Sequence, residues 1–141
     1  MADPTTPATS SPMMAVAVSA LKAQQARMRV IAENIANSDS TATTQGGTPY
    51  RRQTPVFQTS KIDGANGVKL AQVVQDNTPF QQAYEPGNPA ADANGYVQKP
   101  NVEPLLEAMD MQEAQRAYEA NLNVIETSGA MDNATLGILK T

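Results

Sequence analysis

Residues 12–37 read PMMAVAVSALKAQQARMRVIAENIAN. Met14, Leu21, Met28 and Ile35 recur every seven residues, and Val18, Gln25 and Ala32 fill the intermediate positions. A 4-3 alternation of this kind is the seam of a coiled coil or of a narrow helix–helix contact. Ser11 is a good N-cap, and Pro12 falls where a first helical residue can lack its N–H. Asn37, Asp39 and the Thr/Ser/Gly run after them end the helix. A 25-residue helix with so thin an apolar stripe is marginal alone. It needs a partner along its full length of ~37 Å.

The expected partner is a second helix at the other end, over 101–141. Asn101 is its expected N-cap, Glu103, Glu107 and Asp110 lie in its first turns, and Pro104 is tolerable because it falls early. Met111, Tyr118, Leu122, Ile125, Leu136 and Leu139 form its seam, widened by Ala114, Ala117, Val124, Met131 and Ile138. Residues 12–36 carry Lys22, Arg27 and Arg29 against Glu33, net +2; residues 101–139 carry seven carboxylates against Arg116, net −6. Opposite signs favour this pairing and its register.

Residues 38–100 hold most of the glycine and proline. Tyr50–Gln58 and Val68–Gln75 are strand candidates, and Asp63-Gly64 and Asn66-Gly67 are turn signals between them. Glu85-Pro86-Gly87-Asn88-Pro89 and Asn94-Gly95 mark further turns, and Tyr96-Val97 is a third short strand. Residues 1–11, rich in Pro, Thr, Ser and Ala, are expected to be a disordered leader until bound. The expected fold is mainly α: long N- and C-terminal helices in a coiled-coil-like pair, with a small, irregular β-rich middle.

Composition limits the function. The 141 residues contain no His and no Cys, which excludes Ser-His-Asp and Cys-His catalysis, His/Cys zinc sites and disulfides. A net charge of −4 argues against nucleic-acid binding. No apolar run reaches the ~20 residues of a membrane span, and no basic n-region precedes an apolar stretch at the start, so no Sec-type leader is expected. Glu103, Glu107 and Asp110 share a helix face that could attract a hard cation, but no metal loop accompanies them; an exposed, dipole-favoured acidic first turn explains them. Gly46-Gly47 with Arg51 and Arg52 matches no phosphate-loop pattern. The simpler reading is a turn with two solvated arginines; the alternative is a clamp onto an acidic neighbouring helix. The methionines in the seams read as adaptable packing. No cofactor and no metal is expected.

The segment LKAQQARMRVIAENIANSDS, residues 21–40, with Ala32-Glu33-Asn34-Ile35-Ala36-Asn37 at its helix end, resembles the N-terminal motif of the flagellar rod, hook and axial protein family. GGTPYRRQ (46–53), YEPGNPAADANGYVQKPNV (84–102) and DMQEAQRAYEANLNVIE (110–126) narrow the resemblance to proximal-rod members, over roughly residues 12–139. Glu33 departs mildly from the motif. The resemblance implies a non-enzymatic structural subunit of the bacterial flagellum basal body. It further implies export by the flagellar type III apparatus without a cleaved signal and assembly in the periplasmic rod as a helical tube that transmits torque. Implied partners are further copies of the chain, the rod proteins FlgB, FlgF and FlgG, and the export-gate junction protein FliE. The expected assembly interface comprises Met14, Val18, Leu21, Met28, Asn34, Ile35 and Asn37 on the first helix, Arg51 and Arg52 after it, and Met111, Tyr118, Asn121, Leu122 and Ile125 on the last. The alternative is a soluble helical adaptor or chaperone-like binding module.

Overall fold

A computed structural model describes residues 12–140; the expected leader and the Ser11 cap lie outside them. Helix α1 spans Pro12–Ala36 and helix α2 spans Pro104–Leu139. Between them stand β1 (Gln53–Ile62), β2 (Ala65–Gln75), β3 (Gln81–Tyr84) and β4 (Tyr96–Lys99). β1 pairs with β2, and β3 with β4, as two separate antiparallel sheets. The chain is therefore helix-rich with strands rather than mainly α. Two short strand candidates turn out to be one long hairpin of 10 and 11 residues.

The hairpin turn explains its register. Asp63 and Gly64 both take positive φ, 50° and 82°, between the paired residues Ile62 and Ala65. That is the backbone of a two-residue turn whose twist matches the strands. Asn66-Gly67, expected as a second turn, lies instead within β2. Gly67 is buried, and a Cβ there would stand 2.8 Å from Ser19 Oγ and 2.6 Å from Ile62 Cδ1. This glycine allows the hairpin to approach α1 closely. The Ser19 hydroxyl accepts the Val68 N–H at 3.2 Å across the same contact.

α1 thus lies between two partners. The hairpin covers one side, and α2 covers another. Arg27 faces Asp110 and Glu113, whereas Met13 and Val16 lie near Asn121 and Val124, so the helices run antiparallel. Ala17, Ser19, Ala23, Val30, Ile31 and Asn34 are the buried positions of α1 toward these partners. The heptad stripe of Met14, Val18, Leu21, Met28 and Ile35 is only half-buried, and Gln25 and Ala32 are exposed. Its centre lies roughly a third of a turn from the buried face at 3.6 residues per turn. On α2, Ala114 is fully buried and Met111, Tyr118 and Ile125 are half-buried along one stripe. Small residues on both helices permit close packing.

α2 starts later than expected. Its N-cap is Glu103, with Pro104 in the first turn. Asn101 is not the cap: its side chain accepts the Arg52 N–H at 2.7 Å and donates to the carbonyls of Asp76 and Thr78. β3, which lacks an alternating apolar pattern, gains its order from β4 and from Tyr84 packing edge-on to Tyr96, ring centroids 5.3 Å apart. The connection between them folds over a small core of Ala90, Ala91 and Val97, with Ala42 packed against it.

Candidate assembly interface

The helix-end motif is a structural joint. Asn34 is 0% exposed. Its Nδ2 donates to the Gln53 carbonyl at 2.9 Å, and its Oδ1 accepts the Gln53 N–H at 3.0 Å. One side-chain amide therefore pairs both backbone groups of the first β1 residue, as a neighbouring strand would. The Tyr50 hydroxyl donates to the same Oδ1 at 2.7 Å. Burial, with Glu33 and Glu107 nearby, raises the Tyr50 pKa and keeps the phenol a neutral donor. Asn37 Nδ2 donates to the Glu33 carbonyl at 2.9 Å and Ser38 Oγ to the Ile35 carbonyl at 2.8 Å, satisfying groups that the helix end leaves open.

The arginines are not solvated. Arg51 donates to the Asp76 and Thr78 carbonyls at 2.9 and 3.2 Å, and its guanidinium lies 4.2 Å from the Phe80 ring centroid. Arg52 pairs through Nε with Glu107 on α2 and reaches Thr54 Oγ1 and Asp76 Oδ2 at 3.1 and 3.3 Å. The clamp onto an acidic helix therefore exists within this chain. It also corrects the acidic first turn: Glu107 is 2% exposed rather than solvated. Burial alone would lower the Arg52 pKa, but hydrogen bonding and attraction from Glu107 and Asp76 outweigh it and raise the value. Among the described residues no group of three or more side chains could hold a metal.

Asp76 closes the network. The Thr78 hydroxyl and the Thr78 N–H, the latter at 2.9 Å, both donate to its carboxylate, and together with Arg52 they hold its pKa below the ordinary 3.8. The charged form is thus favoured by folding. Its contribution is complete above the unfolded value and is lost as pH falls through the folded one. The stability difference between the wild type and Asp76→Asn, measured by urea unfolding, is therefore expected to narrow as pH falls below about 5. A constant gap would contradict this.

The structure brings Asn34, Arg52, Glu107 and Asp110 to one junction of α1, α2 and β1. Arg27 Nη2 extends it to Asp110 at 3.2 Å and to Glu113 at 3.5 Å. Among the expected interface residues, Met111, Tyr118 and Ile125 lie on the inner side of α2, and Asn121 donates to the Ala117 carbonyl at 2.9 Å. Leu122 is 38% exposed, off that stripe. Ser19, Asp76 and the bridging role of Asn101 carry no local sequence signal, because their partners across the fold lie 24 to 49 residues away.

Residues 14–42 match the family model "Flagella basal body rod protein", and residues 93–138 match "Flagellar basal body rod FlgEFG protein C-terminal". The chain is 44% identical over 127 residues to "Flagellar basal-body rod protein FlgC" of Agrobacterium fabrum, covering 89% of this chain and 91% of that one. It belongs to the FlgC family of flagellar basal-body rod proteins. The FlgC proteins of Salmonella typhimurium and Bacillus subtilis are 46% and 39% identical, over 86% and 88% of this chain and 91% and 89% of their own lengths. As a FlgC-family member the chain is a structural rod subunit of the flagellar basal body. The matched segments are the two helices and their flanks, including the Asn34 joint and Glu107.

Proposed function

We propose that the chain polymerises in the proximal rod as a non-enzymatic building block, with the α1–α2 pair in the wall of a helical tube that transmits motor torque. The observation that carries this reading is apolar surface left over by the folded chain. From Met131 to Lys140 every residue is exposed, including Met131 at 65%, Leu136 at 56% and Leu139 at 76%. Along α1 the stripe of Met14, Val18, Leu21, Met28 and Ile35 is half-covered. Such stripes are normally closed by neighbours. Copies repeating head-to-tail about a helical axis form an interface that does not close on itself.

The chain reaches the periplasm through the flagellar type III apparatus in this reading and meets FlgB, FlgF, FlgG and FliE there. No helix among the described residues is long and apolar enough to cross a membrane, so attachment through protein contacts is the simpler arrangement. Leu21→Asp or Ile125→Asp places a charge on a half-buried seam, at a cost of roughly 1–3 kcal/mol for an unpaired polar group and more for a charge. Each is expected to abolish rod assembly and swimming while the chain is still secreted. Normal swimming in both variants would overturn the proposal.

A further inference from the structure

At one end of the molecule a groove of about 920 Å³ runs between the start of α2 and the loop after β2. Glu103, Glu107, Asp110 and Glu113 line it and Asp76 adds a fifth carboxylate; Arg52 and Arg116 oppose them within its walls, and Arg27 pairs with Asp110 and Glu113 from α1. Glu107 Oε2 is buried without a hydrogen-bond partner, although the residue lines this groove. Leu106 and Met109, 57% and 59% exposed, supply apolar wall beside the carboxylates.

At the other end, the tip of the β1–β2 hairpin carries Lys61, one pair from the turn; Lys69, opposite Gln58 in mid-hairpin, lies with Lys22 of α1 along a cleft. All three are exposed, and none has an ion pair among the described residues. Asp63 is the only carboxylate in the turn. Lys61 cannot neutralise its own chain's groove from the tip. Lys61 is eight residues along β1 from Gln53, or roughly 26 Å at ~3.3 Å per residue. Ala65, next to the tip, lies beside Asn121, which is 18 residues along α2 from Glu103, or roughly 27 Å.

We infer that the acidic groove at the start of α2 receives the lysine-bearing hairpin tip of a second copy of this chain. The groove offers an excess of negative charge with the exposed Glu103, which has no ion pair among the described residues; the tip offers the Lys61 ammonium, a donor without a required plane, and the exposed Val68 as an apolar companion. Because donor and acceptor patches lie at opposite ends of one chain, the contact is heterologous and propagates. The inference rests on the rod reading above and adds to it the surfaces by which copies meet. Charge pairing of this sort sets register and partner choice more than affinity.

The chain contains no cysteine, so introduced thiols are unique. Lys61→Cys and Glu103→Cys, at two exposed positions, are to be combined in the full chain in cells and treated with a short bismaleimide reagent before basal bodies are isolated. Dimers and higher multimers of this chain are expected, with none from either single variant. Only monomers, in basal bodies that contain the chain, would overturn the inference; so would a link to a different basal-body protein. Absence of the wild-type chain from basal bodies would instead overturn the rod reading. Independently, Lys61→Glu is expected to reduce swimming by roughly tenfold or more through like-charge contact, and adding Glu103→Lys is expected to restore it. Unimpaired swimming in the first variant, or no restoration in the second, would count against the contact.

Discussion

Arg52→Ala is expected to lower the unfolding free energy of the chain by about 3–5 kcal/mol, the range found when one partner of a buried ion pair is removed. The reason is Glu107. Its side chain is 2% exposed, and its Oε1 hydrogen bond comes from Arg52 Nε. Removing the guanidinium leaves a carboxylate that water cannot reach. Small domains are stable by only about 5–15 kcal/mol, so a large share of the molecule's stability is at stake. Arg52→Met with Glu107→Met replaces the pair by apolar volume and is expected to recover most of the loss. Urea unfolding followed by circular dichroism measures both. A single variant within about 1 kcal/mol of wild type would show that the pair contributes no more than an exposed one.

Asn34→Leu is the second large effect, about 3 kcal/mol. It removes three hydrogen bonds and strands the Gln53 N–H, the Gln53 carbonyl and the Tyr50 hydroxyl at a buried site. Hydrogen exchange gives the specific readout. The Gln53 amide is expected to lose protection first, because its acceptor is the Asn34 side chain, while amides near the Asp63-Gly64 turn keep theirs. Uniform loss along the hairpin would mean that Asn34 acts through α1 rather than on β1. Asn34→Asp is not expected to rescue, since it keeps the acceptor, loses the donor and buries a charge.

These two joints explain what the sequence made visible. Both terminal helices were legible, because a 3.6-residue period needs only local information. The buried face of α1 was not. The heptad count selected Met14, Leu21 and Met28, the largest apolar side chains, whereas contact with both α2 and the hairpin buries Ala23, Val30, Ser19 and Asn34 instead. Two of those are polar, and hydrophobic periodicity cannot flag a polar residue whose partner is elsewhere in the chain. Asn34 finds its partner 19 residues on, and Arg52 finds Glu107 55 residues on. The same blindness made Glu107 look like a solvated helix start. The turn signals failed differently. Asp63-Gly64 and Asn66-Gly67 satisfy the same turn rule, and only the close approach of Ser19 tells them apart. The family resemblance was legible from motifs that include Asn34, Tyr50, Arg52 and Gln53 of these joints but not Glu107.

The antiparallel helix pair also has a kinetic consequence. Arg27 meets Asp110 across 83 residues of chain, so α1 acquires its main helical neighbour only when nearly all of the polypeptide is available. Closing so long a loop is slow compared with forming a local hairpin. A chain emerging N-terminus first therefore leaves α1 without its helical partner until the last helix has appeared, so the helix pair is the final element to close.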